Sequence, residues 1–321
     1  MGFQGFVVSD WESIHNIEGN SLKDKVITAV NAGIDMLMEP QYYLECYQYI
    51  IEAVNEGSIT KERIDDAVRR ILTVKYNLGI FDDPMQQKLT TNIKELGESE
   101  SRDIARQLVE KSLVLLKNDN NILPLKQGQK IFLTGPAAND SGVQSGGWTV
   151  TWQGKQDSNG NRFVEGSTTI LDGLLEIAKE YNIEIITDAE KAVDADLTIL
   201  CVGEIPYAEW EGDTSDLNIT GSHGLTRNKK AIDVAKNLGK PIVTVIVAGR
   251  NVIINNYLED WDAVVMCYLP GTEGDGVANV LVGEVPFTGK LPMPWYQSIE
   301  DIGRDKYLYP IGYGMETVIM K

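Results

Sequence analysis

Three long apolar runs in the second half of the chain, TILCVG, IVTVIVAG and AVVMCYLPG, restrict the fold more than any other feature of the sequence. Strands buried on both faces of a parallel sheet are continuous apolar runs of this kind, whereas half-exposed strands alternate apolar and polar residues. Segments with helical periodicity separate the runs, which favours parallel strands joined by crossover helices. The pattern predicts strands at 130–134, 183–186, 195–202, 242–247 and 263–268, and helices at 169–181, 226–237 and 275–282.

A shorter α/β pattern precedes this domain. It predicts strands at 6–9 and 35–40, and helices at 22–32, 43–57 and 60–78. Two strand–helix units can neither close a barrel nor make a stable sheet by themselves. Met1 also leads directly into a strand, with no signal peptide before it. We therefore expect this part to be the tail of a larger α/β domain, with sequence missing upstream.

The periodicity fades between residues 81 and 99, which is the best candidate for a linker. A helix is predicted next, over 101–117, with Ile104, Leu108, Leu113 and Leu116 on a helical period. The chain is thus expected to consist of an α/β remnant at 1–80, a linker and helix at 81–125, and a self-contained α/β domain at 126–321.

Charge and cysteine usage exclude several classes of function. The formal net charge of −18 argues against nucleic acid or an anionic membrane as a partner, because both would repel the chain. With three cysteines, no CxxC pair and two histidines, the sequence offers no metal-ligand cluster, and no cofactor is expected. Cys201 and Cys267 lie in apolar runs and are predicted to be small core residues. No apolar run approaches the length of a membrane span.

Three loops at strand ends combine polar groups with tryptophans or other aromatics, and two of them carry carboxylates. They are Asp10-Trp11, the segment 145–154 (SGGWTVTWQG) and the segment 203–213 (GEIPYAEWEGD). Indoles stack on the apolar faces of sugar rings, and carboxylates bind sugar hydroxyls or cleave glycosidic bonds. This combination points to carbohydrate as the ligand.

Each loop also has a simpler interpretation. Asp10 could be the N-cap of the following helix, the Gly-Gly-Trp segment a turn that covers a core edge, and the acidic segment a solvated loop. A nucleotide-binding domain is a further alternative, but it requires a glycine-rich phosphate loop after the first strand. Residues 134–137 (TGPA) do not form such a loop. The residues alone therefore support an α/β protein with a possible sugar site.

Taken in order, a set of motifs along the chain resembles the C-terminal half of a glycoside hydrolase family 3 enzyme of the β-glucosidase and β-glucan exohydrolase type. The motifs are GFVVSDW, AGIDMLMEP, RRILTVKYNLGIFDDP, EKSLVLLKNDNNILPL, GGWTVTWQG, VGEIPYAEWEGD and the closing segments LPGTEGDGVANVLVGEVPFTGKLPMPW and LYPIGYGM. The resemblance covers nearly the whole chain. It implies the last two units of a TIM-like barrel followed by an α/β sandwich domain with a mainly parallel sheet.

The resemblance also implies the roles of individual residues. Asp10 matches the catalytic nucleophile, and Glu209 is the best match for the acid/base, with its neighbours Glu204 and Glu211 ranked below it. A retaining mechanism would place the two carboxyl groups roughly 5–5.5 Å apart. The family's pair of indoles that clamp the sugar beyond the scissile bond is matched by Trp11 and Trp152. Trp148 matches a further aromatic residue of the same loop.

The resemblance implies a retaining exo-acting β-glycosidase that removes terminal β-D-glucosyl residues from β-glucans, cello-oligosaccharides or β-glucosides. A β-xylosidase, a β-N-acetylglucosaminidase and a non-catalytic carbohydrate-binding protein remain alternatives. In the family the hydroxyls of the terminal sugar are held mostly by earlier barrel loops, so we expect this chain alone to be nearly inactive and to need the N-terminal barrel segment as its partner. Family members of this type suggest a periplasmic or secreted protein.

Overall fold

The computed structural model describes residues 2–85 and 97–318. The chain divides into two compact units, Met1–Glu95 and Leu96–Lys321, which are described separately below. Most of the predicted linker, residues 86–96, lies outside the described residues.

Among its described residues, the N-terminal unit contains three α-helices: α1 (Leu22–Asn31), α2 (Tyr43–Glu56) and α3 (Lys61–Asn77). Their bounds match the sequence prediction within about one residue, because the capping signals are strong. The Ser21 hydroxyl accepts a hydrogen bond at the start of α1, the Thr60 hydroxyl does so at the start of α3, and Gly57 ends α2 with a left-handed φ of 81°. The helices enclose a small core that includes Val26 and Ala53.

The two predicted strands of this unit are not regular strands, and this part of the prediction is wrong. Residues 6–9 and 35–40 run parallel but share one isolated bridge, between Val8 and Met36. The Ser9 N–H donates to the Met36 carbonyl at 3.0 Å, and the Asp35 N–H donates to the Val7 carbonyl at 2.9 Å. Each segment has one paired neighbour among the described residues, so the ladder does not extend into a sheet.

Helices α2 and α3 carry many exposed apolar side chains. On α2, Tyr43, Leu44 and Tyr47 are 59–64% exposed, and on α3 Tyr76 is 72% exposed. Exposed apolar surface of this extent usually marks a region that contacts another part of a protein or a second protein. The residues of the N-terminal unit thus leave much of the apolar surface of α2 and α3 exposed to solvent.

The C-terminal unit is built on a six-stranded sheet in the order β1-β6-β5-β4-β2-β3. Its strands are β1 (Val114–Asn118), β2 (Lys130–Thr134), β3 (Glu184–Ile186), β4 (Leu197–Gly203), β5 (Ile242–Val247) and β6 (Ala263–Tyr268). All neighbouring pairs are parallel except β1 with β6. The mainly parallel sheet and its five predicted strands are confirmed.

Strand β1 corrects the predicted helix at 101–117. The helix, α4, spans Ser99–Ser112, and the chain then becomes extended. Val114, Leu115 and Leu116 are at most 1% exposed. Val114 and Leu115 pair with Met266 and Val265 of β6, and the register shifts at Leu116, so the apolar run belongs to a buried strand and not to a helix. Short apolar runs fit both periodicities, and here burial on both faces of the sheet decided the outcome.

The remaining helices of this unit are α5 (Ser141–Ser145), α6 (Ile170–Ile177), α7 (Asn228–Asn237) and α8 (Gly274–Val282). They build two cores on opposite faces of the sheet. Alternate residues of β4 belong to different cores: Ile199 and Cys201 share one with α6 and α8, whereas Leu200 and Val202 share the other with α7. The sheet is therefore buried on both faces, as its apolar runs require.

All three cysteines are free and buried, which confirms the prediction for Cys201 and Cys267. Burial raises the pKa of all three thiols, to about 11 for Cys46, so they remain protonated at neutral pH. Within the described part of the chain, no helix has the length and apolar character needed to cross a membrane.

Candidate active site

Asp10 follows the paired segment of the N-terminal unit and is held through its neighbours. Ser9 is buried, and its hydroxyl accepts a hydrogen bond from the Met38 N–H at 2.8 Å while it donates to the Asp10 carbonyl at 3.0 Å. The exposed Asp10 carboxylate accepts the Trp11 N–H on Oδ1 at 2.7 Å, and Oδ2 has no partner among the described residues. One oxygen is therefore oriented and the other is open to a reactant.

Trp11 and the turn after it lie against the second extended segment. Trp11 is 62% exposed. Glu12 has a left-handed φ of 51° and donates its N–H to the Met38 carbonyl at 3.0 Å. His15 Nε2 lies 2.9 Å from Oε2 of the buried Glu39. The His15–Glu39 pair was not among the predicted site residues, although Glu39 is visible in the sequence as an acid at the end of an extended segment, just before Pro40.

In the C-terminal unit, Glu204 stands at the end of β4 and is buried at 3% exposure. Arg250, which follows β5, donates to it from Nε at 3.1 Å and from Nη2 at 2.8 Å. The Tyr207 hydroxyl donates to Glu204 Oε2 at 2.9 Å. Burial first, and then the Glu204 charge, raise the pKa of Tyr207, so its hydroxyl stays protonated and keeps this hydrogen bond. Glu204 is thus fully engaged as a structural anchor.

The same arginine also fixes the far end of the acidic loop. Arg250 Nη1 donates to the Gly212 carbonyl at 2.6 Å, and its guanidinium carbon lies 4.5 Å from the centre of the Tyr207 ring. On the other side, the His223 Nε2 lies 2.8 Å from the Glu211 carbonyl oxygen. The loop from Glu204 to Gly212 is therefore tied down at both ends.

The Gly-Gly-Trp loop packs against this acidic loop. The Ala208 N–H donates to Gln153 Oε1 at 2.8 Å, and the Trp148 N–H donates to the Trp152 carbonyl at 2.7 Å. A Cβ at Gly147 would collide with the Tyr207 carbonyl, so glycine is required for this close approach. The fold brings the two predicted loops together.

Between them, the loops bring three tryptophans together, and one of these, Trp210, directly follows the exposed Glu209. The Trp152 ring centre lies 5.2 Å from that of Trp210 and 6.3 Å from that of Trp148. Glu209 has a left-handed φ of 53°, is exposed, and has no hydrogen-bond or ion-pair partner in the described part of the chain. Trp210 lies in the predicted acidic loop and follows Glu209 directly, but it was not among the predicted site residues.

The predicted site residues thus fall into two groups. Trp148, Trp152 and Glu209 lie together on the two loops of the C-terminal unit. Asp10 and Trp11 belong to the N-terminal unit, where they form a neighbouring pair. An exposed, unpaired carboxylate beside indole rings can exchange a proton with a sugar bound there.

Replacing Arg250 by methionine is expected to destabilise the C-terminal unit by about 3–5 kcal/mol, because it leaves the buried Glu204 carboxylate without its cation. Urea denaturation followed by circular dichroism measures this loss. The double variant Glu204→Gln/Arg250→Met should lose clearly less than the sum of the two single variants. As a control, Lys229→Gln breaks an exposed pair with Asp233 and should cost at most about 1 kcal/mol. If the losses in free energy of unfolding of the two single variants simply add up in the double variant, the contact between Glu204 and Arg250 does not stabilise the unit.

Comparison with known proteins extends these observations. Residues 113–317 match the family model of the glycosyl hydrolase family 3 C-terminal domain, and residues 1–74 match that of the family 3 N-terminal domain. The chain is 33% identical over 95% of its length to a lysosomal β-glucosidase of Dictyostelium discoideum, of which it covers 39%. It is 29% identical over its whole length to a β-xylosidase of Formosa agariphila, of which it covers 49%.

Two further proteins belong to the same set of matches. A periplasmic β-glucosidase of Salmonella typhimurium is 29% identical over 98% of the chain, which covers 48% of that protein. The crystal structure of a mutant exo-1,3/1,4-β-glucanase from a Pseudoalteromonas species superposes with a TM-score of 0.84 and 34% identity, over all of this chain and 54% of that one. The chain thus spans about half, or less, of the proteins it matches. On the family model that covers most of its length, the chain belongs to glycosyl hydrolase family 3.

Proposed function

We propose that this chain carries the catalytic carboxylates of a retaining exo-β-glycosidase that removes terminal β-D-glucosyl residues from β-glucans, cello-oligosaccharides or β-glucosides. The observation that carries the proposal is the pair of interlocked loops in the C-terminal unit. They present Glu209, exposed and unpaired among the described residues, beside the contacting indoles of Trp152 and Trp210. A free carboxylate and sugar-stacking rings are the two components that glycosidic cleavage needs from a loop.

In the proposed mechanism Asp10 is the nucleophile. Its free Oδ2 attacks the anomeric carbon, the glycosidic bond breaks, and a covalent glycosyl-enzyme ester forms. Glu209 gives its proton to the leaving oxygen in this step. In the second step the Glu209 carboxylate takes a proton from water, the water oxygen bonds to the anomeric carbon, and Asp10 leaves as the carboxylate. Trp11 and Trp152 clamp the leaving-group sugar, with Trp148 beside them.

The hydrogen bonds and the ion pair of Glu204 support the assignment of Glu209 as the acid/base. Glu204 is held by two nitrogens of Arg250 and by the Tyr207 hydroxyl, so it has no freedom to donate a proton to substrate. Glu211 remains the second choice, because it is exposed on the same turn.

We further propose that the N-terminal unit is the last two strand–helix units of a TIM-like barrel, with domains at 1–80, 81–125 and 126–321 and an α/β sandwich as the last. The parallel bridge between Val8 and Met36 and the exposed apolar helices α2 and α3 support this proposal. The missing neighbours would be the other barrel units.

A location in the periplasm or outside the cell is proposed from the relative with a periplasmic name.

The second candidate activity is that of a β-xylosidase, because one relative carries that name. Glucose and xylose differ in one hydroxymethyl group. The groups that would recognise it are proposed to lie on barrel loops that this chain does not contain.

The experiment compares the chain alone with the chain joined behind the earlier strand–helix units of a family 3 N-terminal domain, without the last two units, which residues 1–80 are proposed to supply. We expect the chain alone to hydrolyse 4-nitrophenyl β-glucoside at nearly the uncatalysed rate, and the joined protein to release β-glucose first, as retention requires. The matching xyloside separates the two candidate activities. Rapid turnover by the chain alone would refute the dependence on the barrel, and α-glucose as the first product would refute the retaining mechanism.

A further inference from the structure

Trp210 has no part in the mechanism above, yet it is one of the most exposed aromatic residues of the C-terminal unit. Of the six tryptophans in the chain, Trp261 and Trp295 are at most 1% exposed and serve the core. Trp148, Trp152 and Trp210 are 69%, 40% and 62% exposed although they contact one another. A contiguous cluster of solvent-facing indoles indicates a binding surface rather than a packing function.

The rings are angled so that stacking among them does not hide their faces. The planes of Trp152 and Trp210 meet at 67°, and those of Trp148 and Trp152 at 54°. Edge-to-face contacts leave much of each ring available, and the C–H faces of a pyranose ring suit such surfaces. The cluster can therefore contact a sugar chain from more than one direction.

The backbone that carries the cluster is fixed in advance. Trp148 and Trp152 are joined by the 2.7 Å hydrogen bond between their backbones, and Trp210 lies in the turn that Arg250 and His223 hold through Gly212 and Glu211. Little ordering is then needed on binding, so more of the stacking free energy appears as affinity.

The surrounding charge selects the class of ligand. Glu209, Glu211 and Asp213 share the loop with Trp210, and the nearby Arg250 is already occupied by Glu204. The local potential is negative, so an anionic ligand such as an acidic polysaccharide would be repelled. A neutral glycan fits both the rings and the charge.

We propose that Trp210 extends the surface of Trp148 and Trp152 to a second sugar residue on the leaving-group side, so that the protein prefers neutral β-glucan oligosaccharides of three or more residues. The leaving-group side follows from the proposed function, on which this inference rests: Glu209 protonates the leaving oxygen, and Trp210 is its immediate neighbour. The surface lies wholly within the C-terminal unit, so the chain as it exists can be used to test it.

The test measures binding of laminaritriose and methyl β-glucoside to the chain by calorimetry, with substitutions at Trp210. We expect Trp210→Ala to weaken the affinity for the trisaccharide about tenfold, the effect of losing one ring contact, and to change that for the monosaccharide, which is too short to span both sugar positions, less than twofold. Trp210→Phe keeps a ring and should retain most of the affinity. Tyr307→Ala, which removes another exposed aromatic residue of the same unit, is the matched control and should bind as the unsubstituted chain does.

The outcomes separate this inference from the proposed function. Equal trisaccharide affinity in Trp210→Ala and in the unsubstituted chain, with unchanged circular dichroism, would overturn the inference, as would equal losses for both ligands. Failure of the joined protein to hydrolyse any β-glycoside, with Trp210-dependent trisaccharide binding intact, would overturn the proposed function and leave the binding surface in place.

Discussion

Replacing Asp10 by alanine is expected to lower kcat for β-glucoside hydrolysis by about 10⁴- to 10⁶-fold in the protein joined to the earlier barrel units. Losses of this size follow when a nucleophile that forms a covalent intermediate is removed. The structure gives the loss a local reason, since the Asp10 carboxylate is oriented by the Trp11 N–H and has one free oxygen. Steady-state kinetics on 4-nitrophenyl β-glucoside measure the effect.

Covalent labelling supplies an independent readout for Asp10. A 2-fluoro-glucoside that forms a slow-turnover ester should modify the peptide containing Asp10, and mass spectrometry locates it. Asp65→Ala is the control, because Asp65 is an exposed acid of the same unit that pairs with Lys61. A label on any other carboxylate, or an Asp10→Ala variant with near-normal kcat, would remove Asp10 from the nucleophile role.

Replacing Glu209 by alanine is expected to lower kcat about 10²- to 10⁴-fold for cellobiose, whose leaving group needs a proton. Hydrolysis of 2,4-dinitrophenyl β-glucoside should lose much less in its first step, because that leaving group departs without protonation. Azide, a small anion that can occupy the vacated space, should restore turnover and yield a β-glucosyl azide. The comparison of the two substrates, with and without azide, is the measurement.

Glu211→Ala is the matched control for Glu209, because both acids lie exposed on the turn Glu209–Gly212. Glu211→Ala should keep kcat within a few-fold of the unsubstituted protein. If the leaving-group dependence and azide rescue follow Glu211 rather than Glu209, the acid/base assignment passes to Glu211.

The parallel strands could be predicted because the apolar character of each strand is visible in its own stretch of sequence. Strands β2, β5 and β6 have the predicted bounds, since burial on both faces requires an unbroken apolar run. Strand β1 was not recovered, because Val114–Leu116 is equally compatible with a helix that begins earlier. Its strand state depends on pairing with Val265 and Met266, far along the chain, and that pairing leaves no trace in the local sequence.

The candidate site likewise combines features that are visible in the local sequence with contacts between residues that are distant in the sequence. The motifs around Asp10 and Glu209 could be read locally, and the resemblance gave them roles that remain predictions. The anchor between Glu204 and Arg250 could not be predicted, because it joins residues that are close only after β4 and β5 have paired. The contact of Trp152 with Trp210 likewise depends on two loops that meet through Gly147 and Gln153.

The position of β1 has a consequence for the order of folding. The first strand of the C-terminal unit lies between β6 and the closing segment, where the Met315 N–H donates to the Leu115 carbonyl at 2.8 Å. Its partners thus lie far downstream in the chain, and pairings between distant segments form slowly. Until they pair, the edges of the apolar β1 segment are open to association with another chain.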